Sequence, residues 1–170
     1  MKLISQKRGL ELLARRKEEY KRRIAKFDHR AKDCLTCETQ GACCLDAHFV
    51  NVRISRLEAA AIKAALNKLP ADKYADVYHR IENTVETYGL KKDEDATFAC
   101  PLFEKGTGCL VHHDGKPVPC ITHACYENKA DLPPDELQAA EEQSIDTLNQ
   151  RVYGRGHAWL PLPMALLKYR

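Results

Sequence analysis

Apolar residues recur near the start of the chain at Leu3, Leu10, Leu13, Tyr20, Ile24 and Phe27, on spacings of three, four and seven. The aliphatic stem of Lys17 fills the gap in that seam, so residues 5–31 are predicted to form one long amphipathic helix. Its seam either packs on the chain's own helices or forms an arm that pairs with a partner. Asp33 then leads into a cysteine block. After it, Phe49, Val50, Val52 and Ile54 predict a short extended segment. Ser55-Arg56-Leu57-Glu58 is a capping box, and the helix it opens carries Leu57, Ala61, Ile62, Ala65, Leu66 and Leu69 as far as Pro70. Pro70 begins the next helix, whose stripe of Tyr74, Val77, Tyr78, Ile81, Val85 and Tyr88 ends where Gly89 suits a left-handed cap. These two helices are expected to meet as a hairpin. The tyrosine stripe reads as core rather than as a binding face, with His79 beside it at the surface or as a cap.

Residues 91–131 change character. Phe98-Ala99-Cys100-Pro101-Leu102-Phe103 runs through Gly106, Gly108 and Cys109 to Asp114-Gly115 and Cys120. Asp114-Gly115 predicts a hairpin turn between Leu110-Val111 and Lys116-Pro117-Val118, the second arm being weakened by Pro117. So long a punctuated stretch needs something to hold it, and thiol–metal bonds would do so. Pro133-Pro134-Asp135-Glu136 opens a last major helix with Leu137, Ala140, Ile145, Leu148 and Val152, closed before Gly154. The apolar tail from Gly156 to Leu167 holds the only tryptophan, Trp159, and either packs on the domain or offers a partner surface. The expected fold is a single, mainly α domain in which helices frame an irregular cysteine-rich lobe with little β structure. Its parts are a basic helix (1–32), a metal lobe (33–54 and 91–131), a helical hairpin (55–89) and a C-terminal helix with its tail (132–170).

Eight cysteines fall in two blocks, Cys34, Cys37, Cys43 and Cys44, then Cys100, Cys109, Cys120 and Cys125. Two cysteines three positions apart let one tight turn aim both sulfurs at a soft cation, and Gly41 gives the chain freedom to bring the next thiols round. Adjacent residues such as Cys43 and Cys44 rarely chelate one ion together, so one of them serves another metal or packs as a thiol. A disulfide framework and inert buried thiols are the alternatives. No apolar run resembles a signal peptide or a membrane span, so a cytosolic setting without membrane contact is expected, and that reducing compartment favours metal over disulfides.

The net charge of +3 hides an asymmetry: residues 1–32 carry twelve Lys or Arg against four Asp or Glu, and the remainder carries fifteen against twenty. A basic helix can seek phosphate or an acidic surface, dock on the chain's own acidic half, or simply present a solvated face. The absence of aromatic-rich strands or a recognised basic-region motif argues against nucleic acid. A protein partner at the basic helix or the apolar tail is therefore the macromolecular expectation.

The order of Cys-x2-Cys, then Cys-Cys, then Ile54-Ser55-Arg56-Leu57-Glu58, Phe98-x-Cys100-Pro101-Leu102 and Gly108-Cys109-Leu110 resembles the YkgJ-type cysteine-cluster family, over about residues 34–125. The resemblance implies a zinc- or iron-chelating domain in which Cys34, Cys37, Cys43, Cys44, Cys100, Cys109 and Cys120 take the family's cysteine positions, Cys125 being an addition. The chain departs from the family where Leu110-Val111-His112-His113-Asp114-Gly115-Lys116-Pro117 replaces an aromatic and arginine-proline signature. His112 or His113 could replace a thiolate there, and His123 sits between Cys120 and Cys125, although positions behind the ligands or in solvent suit all three better. A similar cluster occurs in flagellin lysine N-methylases, an analogy that does not carry activity.

Zinc would accept four thiolates as structural cement, whereas an iron–sulfur cluster would accept the same four and could carry an electron. The density of thiols and the scarcity of histidine ligands favour iron–sulfur over zinc. No phosphate-cradling loop, nucleophile elbow or metalloprotease histidine pair is present. Cys120 or Cys125 near His123 would be the one candidate for a nucleophilic thiol. Three roles stay open: a metal-dependent modifying or redox enzyme, a structural zinc module that binds a partner, and a metal carrier or sensor.

Overall fold

A computed structural model describes residues 2–28, 31–32, 41–45, 51–123, 125–126 and 128–170, with the backbone alone at 28, 32, 125 and 129. It is mainly helical. The helices are α1 (Gln6–Asp28), α2 (Ala42–Leu45), α3 (Arg56–Leu66), α4 (Ala71–Thr87), α5 (Val118–Thr122), α6 (Asp135–Tyr153) and α7 (Leu162–Lys168). Three two-residue antiparallel ladders join β1 (Ala31–Lys32) to β5 (Cys125–Tyr126), β2 (Arg53–Ile54) to β6 (Leu160–Pro161), and β3 (Phe103–Glu104) to β4 (Gly108–Cys109).

Ser5 starts α1 by accepting from the Arg8 amide (3.2 Å). Its seam then turns inward: Leu13, Tyr20 and Ile24 are buried with Leu57 of α3, Val118 and Ile121 of α5, and Ile145 and Leu148 of α6. The helix is therefore part of the core and not a protruding arm. Gly9 allows the close approach, since a Cβ there would lie 2.4 Å from Val152 Cγ2 and 3.3 Å from Leu57 Cδ1. Two details of the expected helix change. Leu3 lies outside the seam and is 62 % exposed. The helix ends at Asp28, and Ala31 and Lys32 instead pair with Tyr126 and Cys125.

The capping box forms as expected, with Ser55 and Glu58 each bonded to the other's backbone amide. Pro70 precedes α4, and Gly89 takes a positive φ of 63° just past its end. Val77, Tyr78, Ile81 and Val85 are buried, so the stripe is core, and His79 is exposed. The two helices share their core with α7, which packs against both. The apolar tail is spent on this packing: Leu160, Leu162, Ala165 and Leu166 are buried, which removes them as a partner surface. In α6 the alanine expected in the core, Ala140, is exposed, and its neighbour Glu141 is buried instead.

The hairpin expected at Asp114-Gly115 is displaced. Antiparallel pairing occurs earlier, with Phe103 opposite Cys109 and Glu104 opposite Gly108 across Lys105-Gly106-Thr107. Residues 110–115 form turns instead. Pro117 caps α5 and Pro119 sits in its first turn, so Val118 gives its amide to Glu58 (3.2 Å) and not to a strand. No helix among the described residues is long and apolar enough to cross a membrane.

Candidate metal centre

Three separate segments bring the described cysteines to one region. The first is α2, a single turn of helix that carries Cys43 and Cys44. Gly41 starts it with φ 83°, and a Cβ on Gly41 would meet Phe103 Cζ at 2.2 Å. Only glycine lets the chain pass over that ring and turn at the same point. Cys44 then accepts a backbone hydrogen bond from the Cys100 amide (2.6 Å), which ties the first cysteine block to the second.

The second segment runs from Cys100 to Cys109. Pro101, Leu102 and Phe103 are buried beneath it, and the β3–β4 ladder fixes the spacing of the two cysteines. Arg80 of α4 donates to the Phe103 carbonyl (3.1 Å) and Lys73 pairs with Glu104 (3.1 Å), so the hairpin is anchored on α4. The Leu102 and Phe103 amides also donate toward the Cys100 sulfur. That arrangement supports negative charge on sulfur.

The third segment is α5, which presents Cys120. A buried polar network holds it in place. Glu58 accepts from the Val118 amide, Lys17 donates to the Lys116 carbonyl (2.8 Å), and the Tyr20 hydroxyl pairs with Thr122 Oγ1 (2.7 Å). Lys17 and Glu58 are themselves 3.1 Å apart and both buried. This network was missed in the sequence, although a lysine on the apolar seam of α1 is the kind of signal that reveals a buried partner.

The thiols feel one another. Burial pushes the Cys100 thiol up to about 12, with Cys109 adding to the shift and the Leu102 amide opposing it. Cys120 is also raised, first by burial and then by Cys100 and Cys109. Cys44 is raised because it donates to Cys43, is half-buried, and faces Cys43, Cys100 and Cys120. Cys43 is exposed, and the hydrogen bond from Cys44 brings it down to about 6. Cys43 thus points outward and Cys44 inward. Clustered thiols that oppose each other's ionisation are groups whose protons a thiophilic cation can displace.

The convergence stops short of a closed coordination shell: among the described residues, no three of His, Cys, Asp and Glu are grouped to hold a metal ion. Cys34 and Cys37 lie outside the described residues. Of Cys125 the backbone is described, opposite Lys32 in the β1–β5 ladder. His112, His113 and His123 are all exposed. Comparison with family models, curated proteins and solved structures finds no match to this chain.

Proposed function

We propose that this chain is a metal-binding cysteine-cluster protein that holds zinc or an iron–sulfur cluster through thiolates. The observation that carries this reading is the gathering of Cys44, Cys100, Cys109 and Cys120 from three segments, tied by the Cys100 amide to the Cys44 carbonyl (2.6 Å). Soft sulfur donors, with backbone amides aimed at one of them, suit a thiophilic ion better than calcium or magnesium. Cys34 and Cys37 are the further donors that the YkgJ-type resemblance implies. Zinc in such a site would brace the cysteine lobe, and an iron–sulfur cluster would add one-electron chemistry.

A second reading is a structural module acting through the basic face of α1: the grooves of about 360 and 460 Å3 on the two sides of that helix are lined by no cysteine and are separate from the thiols. A metal-dependent modifying or redox enzyme, the analogy with flagellin lysine N-methylases, requires an exchangeable position at the metal itself.

The test is anaerobic purification followed by metal and acid-labile sulfide analysis and a visible spectrum. Iron with sulfide and broad visible absorption indicates a cluster, and colourless protein with stoichiometric zinc indicates a structural site. Protein without stoichiometric metal overturns the reading.

A further inference from the structure

The groove of about 460 Å3 between α1 and α6 has a composition that the thiol centre does not use. Arg15, Arg16 and Glu19 line it from α1 and Arg151 from α6, above Leu12 and Leu148. Both walls follow the helical period, so side chains three, four and seven positions apart point into one space. Three guanidiniums face a single carboxylate there.

The surplus is not cancelled from behind. Glu141, 1 % exposed, binds Arg16 through Nε (2.9 Å) and Nη2 (3.3 Å), but the same carboxylate also takes Arg23. One buried negative charge therefore fixes two arginines and leaves net positive charge at the wall. Arg15 and Arg151 make no ion pair with any described residue. Elsewhere on α1, Arg8 pairs with Glu11 (2.9 Å) and Lys21 with Glu18 (2.7 Å), while Arg22 Nε turns to the Glu18 carbonyl (3.4 Å) and keeps its charge. The groove is set apart from the rest of that face because arginines of two helices line one space.

We propose that this groove binds the phosphates of a small di- or triphosphate. Guanidinium groups recognise phosphate oxygens bidentately, and several of them on opposite walls match a multiply charged group better than a single carboxylate. The leucine floor leaves apolar surface for the organic part of the ligand.

The proposal is tested on the full chain, isotopically labelled and carrying its metal as purified, by titrating pyrophosphate at fixed ionic strength and following backbone amide shifts. Saturable shifts at residues 12–19 and 144–151 are expected. Shifts confined to residues 41–45 and 100–122, the signature of a chelating probe withdrawing metal, would overturn it, as would no saturation. Arg15→Gln and Arg151→Gln should each weaken binding about tenfold, while Arg22→Gln, outside the groove, should change it less than about twofold. Equal weakening in all three means diffuse attraction and overturns a defined site. Adenosine diphosphate should bind at least as tightly as pyrophosphate. A single-stranded oligonucleotide that binds far more tightly, with shifts running on to Arg8 and Lys26, would replace the small ligand by nucleic acid.

Discussion

The ammonium of Lys17 lies 3.1 Å from a carboxylate oxygen of Glu58, with both side chains inside the protein. The pair joins α1 to α3, and its outer bonds reach the Lys116 carbonyl and the Val118 amide, so it also holds the start of α5 beneath Cys120. A capping residue of one helix is in this way a positioning residue for the thiol centre.

Replacing Lys17 by Met leaves Glu58 buried without its cation and should lower unfolding stability by about 3 kcal/mol, the size seen when one member of a buried pair is removed. Lys17→Met with Glu58→Gln should recover part of that loss. Urea unfolding of the natural chain and the two variants measures both effects. A single-variant cost below about 0.5 kcal/mol would place the pair with solvent-screened surface pairs.

Gly41→Ala should destabilise the protein by about 2 kcal/mol, because the new methyl meets the Phe103 ring and the backbone needs φ 83°. Phe103→Leu in the same chain should relieve the steric part and leave the backbone part. Additive costs for the two substitutions in a double-mutant cycle would show that the ring and the glycine do not meet.

Cys34→Ser and Cys100→Ser should each lower bound metal and destabilise the fold, since metal-binding energy is partly folding energy. His113→Ala and His123→Ala should keep full metal content, both residues being exposed. Elemental analysis of the four purified variants decides this. Full occupancy in both cysteine variants would falsify a site shared between the two cysteine blocks.

Burial raises the pKa of Tyr20, despite its hydrogen bond to Thr122. The phenol is held neutral in the folded state above the pH at which it ionises in the unfolded chain. Its stabilising contribution is therefore complete below about pH 10 and is lost as pH rises through the folded value. The stability difference between the natural chain and Tyr20→Phe should shrink between pH 9 and pH 11. A constant difference over that range would mean that Tyr20 ionises alike in both states.

Much of the helical frame was legible in the sequence because period and caps are local. The seam through Leu13, Tyr20 and Ile24, the Ser55–Glu58 box, Pro70 and Gly89 stand where patterning places them. The turn-rich stretch was harder to read. Asp114-Gly115 has good hairpin chemistry, yet the ladder formed between Phe103 and Cys109, because Val118 found its hydrogen-bond partner in Glu58, 60 residues away. Ala140 and Glu141 show the same limit: neighbouring positions on α6 exchanged core and surface because two arginines of α1 waited at one of them.

By itself the sequence determined the class of fold, the order and approximate ends of its main helices, and the thiol chemistry available to the chain. Hydrophobic period, capping and the nature of sulfur act within a few residues or within one side chain, so they survive without knowledge of neighbours. Tertiary structure decided that α1 belongs to the core, that the apolar tail is covered, that Cys44 faces inward while Cys43 faces solvent, and that Lys17 meets Glu58. Each of these depends on which distant groups share a desolvated space, where a charge needs its partner and an apolar face needs its cover.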